Sequence, residues 1–167
     1  MLQKSTILMA VSAVLALTAC AAPHKHDKPH KHKHHHGEQA CKKTSEAEIA
    51  ALFERWNDAL KTGDAKKVVA NYAPKSILLP TVSNTPRLTA AEKEDYFVHW
   101  LPNRPSGVIN SRQIQIGCNT AFDAGIYTFT YANGKKVPAR YTYTYEWDGQ
   151  NWLITSHHSS GMPEAVK

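Results

Sequence analysis

Several patterns that would announce a common chemistry are missing from this 167-residue chain. It has no glycine-rich phosphate loop, no H-E-x-x-H and no G-x-S-x-G, so nucleotide hydrolysis, zinc proteolysis and serine hydrolysis have no support. Its three cysteines form no C-x-x-C, which argues against a redox-active dithiol. No internal repeat is present. A basic nucleic-acid face is missing as well, although the net charge is +6. Residues 1–43 hold seven lysines against two acids, whereas from Thr44 onward 13 Lys and Arg face 12 Asp and Glu. The globular part is therefore close to neutral, and no nucleic-acid partner is expected.

Long apolar runs are scarce too. The one at the start, Ile7 to Leu17 behind Lys4, has the build of an export signal and is too short for a retained membrane helix. It ends in Leu17-Thr18-Ala19-Cys20, which resembles the lipobox of bacterial lipoproteins. That resemblance implies cleavage before Cys20, lipidation of its thiol and a periplasmic anchor. Ala21 is not the Asp associated with inner-membrane retention, so the outer membrane of a two-membrane cell is expected. An ordinary signal peptide with a chance cysteine is the alternative. Residues 1–19 are thus read as signal peptide, 20–43 as a lipidated tether and 44–164 as the domain.

Within the tether, His24, His26, His30, His32, His34, His35 and His36 occupy seven of thirteen positions. A segment with so little to bury has no drive to fold. Neutral imidazoles at this density can chelate Zn, Ni or Cu weakly, while the interleaved lysines oppose cation binding. A solvated spacer and a weak metal buffer both remain open, and no other cofactor is expected. With Cys20 lipidated, Cys41 and Cys118 are left as an even pair in an oxidising compartment, which suggests a disulfide. Two buried free thiols are the alternative.

The domain reads as helices followed by strands. Ser45 and Glu48 form a capping-box pattern, and Ile49, Leu52, Phe53, Trp56 and Leu60 make one helical stripe ending at Gly63. Asp64 caps a second helix with Val68, Val69 and Tyr72 inward, stopped by Pro74. Ser76 to Leu79 is a short strand. Thr89 and Glu92 open a third helix with Tyr96, Phe97 and Trp100 inward. Strands are then expected over Val108–Gly117, Ala124–Tyr131, Val137–Trp147 and Trp152–His158, with Asn133-Gly134 and Asp148-Gly149 as hairpin turns. The fold class is α+β, three N-terminal helices packed on a curved, mostly antiparallel sheet.

Strict alternation divides the last hairpin into two faces. Arg140, Thr142 and Thr144 share one with Trp152, Ile154, Ser156, His158 and Ser160. Tyr141, Tyr143, Tyr145 and Trp147 lie on the other, which reads as a subunit contact in a homo-oligomer.

This order of elements, with Asp148-Gly149, Trp152, His158, Ser160-Gly161 and Pro163 at its end, resembles the NTF2-like (SnoaL-like) cone fold. Within it, the chain is similar to the association (hub) domain of calcium/calmodulin-dependent protein kinase II and its stand-alone bacterial relatives. The resemblance covers about Thr44 to Glu164. It implies a conical pocket and assembly through the sheet into dimers or rings. Arg140 and Thr142 match the inward R-x-T of the penultimate strand, and His158 the last-strand histidine. Further pocket arginines of the kinase hub are replaced here by aromatic or small residues around Tyr131 and Ser159. No kinase catalytic segment is present.

The ligand set expected on this basis is Arg140, Thr142, His158 and Ser160, with Tyr72 and His99 lining the pocket and Arg87 at its mouth. The ligand expected is a small organic acid, held by the guanidinium fork. An Arg140 paired with Glu94, Asp95 or Asp123 is the competing structural role, and for His158 a satisfied core histidine. No aspartate can be placed inward, so binding is favoured over catalysis. An isomerase, dehydratase or cyclase on the same pocket, or a purely structural oligomerisation module, are the alternatives.

Overall fold

The computed structural model describes residues 40–164. The expected signal peptide, the lipidation site Cys20 and the histidine tract His24 to His36 lie outside the described residues.

Helix α1 (Glu46–Lys61) begins where its capping box predicts. The Ser45 hydroxyl accepts from the Glu48 amide, and the Glu48 carboxylate accepts from the Ser45 amide at 2.8 Å. These two bonds satisfy donors that a helix start leaves unpaired. Its stripe of Ile49, Leu52, Phe53, Trp56 and Leu60 is buried throughout. Helix α2 (Ala65–Val69) is shorter than its pattern suggests. The Asn71 side chain donates to the Lys67 and Val68 carbonyls and closes the helix, while the Asn71 backbone carbonyl accepts from the Ile154 amide and draws the chain into the sheet. Strand β1 (Tyr72–Leu79) therefore starts at Tyr72, and Pro74 lies within it. An edge strand tolerates a proline because no ladder partner needs its missing N–H. Helix α3 (Ala90–Trp100) carries a second capping box, Thr89 with Glu92.

Strands β2 (Ser106–Ile116), β3 (Thr120–Thr130), β4 (Lys136–Trp147) and β5 (Trp152–Gly161) complete a five-stranded sheet of order β1-β5-β4-β3-β2. Only β1 with β5 is parallel. Both expected hairpin glycines have positive φ, +80° at Gly134 and +103° at Gly149. At the second turn the Asp148 carboxylate accepts from the Gln150 and Asn151 amides.

Two bulges shape the sheet. In β2 an extra residue, Asn110, sits between Ile109 opposite Tyr127 and Ser111 opposite Ile126. Here β2 and β3 approach so closely that a Cβ at Gly125 would collide with the Ser111 carbonyl oxygen, which only glycine avoids. In β5, Ile154 pairs with Tyr145 but Ser156 with Thr144, leaving Thr155 as the extra residue. A bulge reverses the inward and outward phase of everything beyond it. Trp152 and Ile154 are buried before it, His157 and Ser159 after it.

The expected division of faces is corrected accordingly. Tyr141, Tyr143 and Tyr145 are buried on the concave side under the helices, not on a subunit surface. Phe53 and Trp56 of α1 pack on Tyr143 with ring centroids 6.3 and 5.9 Å apart. Asp123 is corrected too. Strand β3 begins before it, and it points inward fully buried, its carboxylate accepting from Arg112 Nη2 and from the Tyr141 hydroxyl, each at 2.8 Å. A carboxylate taken out of water needs such partners.

Cys41 and Cys118 form a disulfide with their Cα atoms 4.8 Å apart, tying the segment before α1 to the β2–β3 turn. The Lys42 amide adds a bond to the Asn119 side chain at 2.7 Å. Closing a loop whose ends are 77 residues apart restricts the unfolded chain by about 4 kcal/mol on the chain-entropy scale. Reduction, or Cys41→Ser with Cys118→Ser, is expected to lower the urea-unfolding free energy by roughly that amount. An unchanged midpoint would show that the bridge contributes nothing.

A hydroxyl and imidazole row in an aromatic cone

A cavity of about 30 Å³ lies between the concave sheet and helices α1 and α3. A single water needs roughly 10–15 Å³ on this scale, so the space suits a species of a few heavy atoms. Trp56, Tyr96, Phe97, Trp100, Phe129 and Tyr131 supply its aromatic walls. Val82, 62% exposed, marks its rim. Among the described residues no charged side chain lines it.

The polar part comes from β5, β3 and the segment after β1. His157 and Ser159 project inward because Thr155 has shifted the phase of β5. Their cross-strand partners are Tyr143 and Tyr141, and Asp123 lies one strand beyond Tyr143. The His157 ring is stacked on Tyr143 at 4.1 Å and meets Trp56 edge-on at 5.2 Å. Its Nδ1 is 2.9 Å from the Tyr72 hydroxyl, which also accepts from the Trp56 indole at 3.2 Å. Its Nε2 is 3.4 Å from the Tyr127 hydroxyl. Tyr127 donates to Ser159 Oγ at 2.5 Å, and Ser159 is hydrogen-bonded to Thr81. One row of polar groups thus runs from Trp56 to Thr81, with Thr81, Ser159, Tyr127 and His157 at the cavity wall.

Burial determines the protonation of this row. Desolvation, followed by the charge of neighbouring His158, lowers the His157 pKa from 6.5 to about 3, so the ring is neutral near pH 7. Burial also pushes the Tyr72 and Tyr127 phenols up, so both keep their protons. The row presents neutral donors and acceptors only. It can orient a small oxygen-bearing species by hydrogen bonds without holding it by charge.

The residues expected to bind ligand are placed differently. Arg140 and His158 are exposed on the convex side of the sheet, with Arg140 Nε donating to Ser160 Oγ at 3.2 Å. Thr142 and Ser160 share that face, since they pair with His158 and Arg140. His99 is exposed on α3, bonded to the Asp95 carbonyl. Tyr72 touches the row from behind, through His157. Arg87 sits beside the rim cluster, 3.3 Å from Asp95. Strict alternation misplaces the wall by one residue, and because β5 reads His157-His158-Ser159-Ser160, a one-residue slip exchanges like for like. The usable signal was the tyrosine run, whose large apolar rings belong inside more readily than Arg140 with two threonines. Tyr131 and Ser159, which stand where the hub resemblance puts further pocket arginines, both line the cavity. Among the described residues no three His, Cys, Asp or Glu side chains converge as a metal site.

Helices over a curved, mostly antiparallel sheet make up the NTF2-like fold. An NTF2-like protein of unknown function from Pseudomonas putida KT2440 matches 69% of this chain and 84% of its own at 17% identity, TM-score 0.61. The calcium/calmodulin dependent protein kinase II association domain family matches residues 45–163, and the chain belongs to that family. A bacterial protein assigned to that association domain, from Xanthomonas campestris, is 48% identical over 74% of this chain and 91% of its own, TM-score 0.70. The iota-carbonic anhydrase from a cyanobacterium, complexed with bicarbonate, is 23% identical over 73% of this chain and 94% of its own, TM-score 0.66. None of the curated proteins matches the chain.

A neutral buried imidazole makes stability depend on pH. Unfolded, His157 titrates near 6.5, and folded near 3. Between these values the unfolded chain binds the extra proton, so stability present above pH 6.5 is lost as pH falls toward 3. The loss expected from pH 6.5 to 5 is about 2 kcal/mol. Urea unfolding at the two pH values should show it, and His157→Gln should remove that slope. Equal slopes in both proteins would mean that His157 is not buried neutral.

Proposed function

We propose that the cone binds carbon dioxide and bicarbonate and interconverts them. The observation that carries this reading is the row of Thr81, Ser159, Tyr127 and His157 at the wall of an uncharged aromatic cavity of about 30 Å³. That volume suits a species of three or four heavy atoms better than the polyketide-like or steroid-like substrate of an isomerase, dehydratase or cyclase. Apolar walls admit neutral carbon dioxide, and hydroxyl donors favour the oxygen on which charge develops. The bicarbonate-bound cyanobacterial iota-carbonic anhydrase, similar in fold, lends support by analogy.

In the hydration direction a water oxygen forms the new bond to the carbon. The electron pair of one C=O bond moves to its oxygen, which accepts a hydrogen bond from the Thr81 hydroxyl, held in place by Ser159. The surplus water proton leaves to solvent past the rim, and bicarbonate departs. The absence of a lining cation favours release, because nothing at the wall holds the anion by charge. A small carboxylate-type ligand is retained from the sequence reading, but on the opposite face from Arg140.

Stopped-flow hydration with a pH indicator tests this. The purified protein is expected to exceed the buffer rate, Ser159→Ala and Thr81→Val to lose about tenfold or more, and Arg140→Ala to match the wild type. A protein no faster than buffer would defeat the reading.

We propose also that the chain is a periplasmic lipoprotein, anchored through Cys20 in the outer membrane, whose His-rich tether spans the gap and binds Zn, Ni or Cu weakly. The Cys41–Cys118 bridge supports an oxidising compartment. Homo-oligomers would form through the convex sheet face, which carries Phe122 and Ile126 opposite Thr144 and Arg140. Cys20→Ser should move the protein from the membrane to the soluble fraction, and Ile126→Glu should shift its mass in light scattering to that of a monomer. Unchanged fractionation or mass would reject the respective proposal.

A further inference from the structure

We infer that Trp56 is a positioning residue, whose indole N–H sets the direction of every hydrogen bond in the row and thereby the His157 tautomer. The inference rests, for its effect on rate, on the carbon dioxide reading above. An indole nitrogen is a donor only, so it cannot take part in a reversed row. Trp56 Nε1 donates to the Tyr72 oxygen at 3.2 Å. The Tyr72 proton is then free for its other neighbour, His157 Nδ1, at 2.9 Å. Nδ1 accepts, and since the ring is neutral its one proton is on Nε2. That N–H faces the Tyr127 oxygen at 3.4 Å. The Tyr127 proton goes to Ser159 Oγ at 2.5 Å, and the Ser159 proton to Thr81. The Thr81 hydroxyl has no further hydrogen-bond partner among the described residues, so its proton is directed into the cavity it lines.

The reverse orientation would satisfy Thr81, Ser159, Tyr127 and His157, but it would turn the Tyr72 proton toward the indole. It would start from Thr81 as acceptor, present lone pairs to the cavity and place the His157 proton on Nδ1, pointing at Tyr72. An oxyanion would meet electron pairs where it needs donors. The hydroxyls and the imidazole can each both donate and accept, so between them the two orientations differ little. Only the indole breaks the tie. A reversed row would leave a buried indole N–H facing the Tyr72 proton and without an acceptor, and a buried donor left without a partner is costly. Trp56 is 1% exposed and packed against His157, with Tyr72 as the acceptor of its indole N–H.

The test is nitrogen NMR of the ¹⁵N-histidine-labelled full chain at pH 7, with the His157 signals assigned by their loss in His157→Gln. The wild type is expected to show one tautomer, protonated at Nε2. Trp56→Phe keeps the ring packing and removes the N–H, and should give a mixture of both tautomers. Its kcat for carbon dioxide hydration should fall about tenfold with KM little changed, since the wall is kept and only donor direction is lost. Tyr72→Phe, which removes the donor to Nδ1, should likewise release the tautomer and settles the matter if Trp56→Phe does not fold. An Nδ1-protonated ring in the wild type would overturn the inference. So would an unmixed Nε2 tautomer in either variant. Should the wild type hydrate no carbon dioxide, the functional reading falls, while the tautomer still decides the role of Trp56.

Discussion

One extra residue in the last strand sets the terms for the rest of the structure. Thr155 and Ser156 together oppose Thr144, so the strand beyond them is out of phase with the strand before them. Trp152 and Ile154 enter the core on one side of this point, and His157 and Ser159 on the other. The Thr144 and Thr155 hydroxyls bond to each other across the bulge at 2.7 Å, outside the cone. Without the extra residue, continuous alternation from Ile154 would bring Ser156 and His158 under the helices and turn His157 outward. The site exists because β5 does not keep a period of two.

Placing polar groups inside an aromatic cone is costly unless each is partnered. The structure partners its charged and imidazole groups in two separate systems, while the Tyr143 and Tyr145 hydroxyls have no partner among the described residues. Asp123, Arg112 and Tyr141 form a charged one near the β2 edge, where Arg112 still reaches solvent. The row from Trp56 to Thr81 is uncharged and borders the cavity. Tyr127 and Tyr141 stack at 4.9 Å between the two systems, which keeps a carboxylate from sharing the cavity with the imidazole. Burial, followed by the charge of His158, lowers His157, and burial raises the phenols.

The family places the cone but does not determine what enters it. A pocket built on Arg140 would hold an anion by charge and release it slowly. The wall found instead offers neutral hydroxyls in a space of a few atoms. Those two properties favour a small molecule that arrives neutral, gains charge during reaction and leaves. Size and the absence of a lining charge carry that argument more strongly than likeness of fold.

Much of the fold was legible in the chain. Both capping boxes, the apolar stripe of α1 and the two glycine turns depend on neighbours within a few residues, so local patterns report them directly. The disulfide pairing could be read as well, because only two cysteines remain once Cys20 is set aside. Helix α2 was overestimated, since its end depends on an Asn71 carbonyl bonded to Ile154, more than eighty positions away. Nothing local places Asp123 inward, because its partners, Arg112 and Tyr141, stand on other strands. The functional wall was the least legible part. Sequence supplied the right types of residue at the right end of β5, but which of two adjacent histidines faces inward is a matter of strand phase. Phase beyond a bulge depends on how β4 and β5 pair and on the packing of Tyr143 against Trp56, and only the assembled sheet and helices decide that.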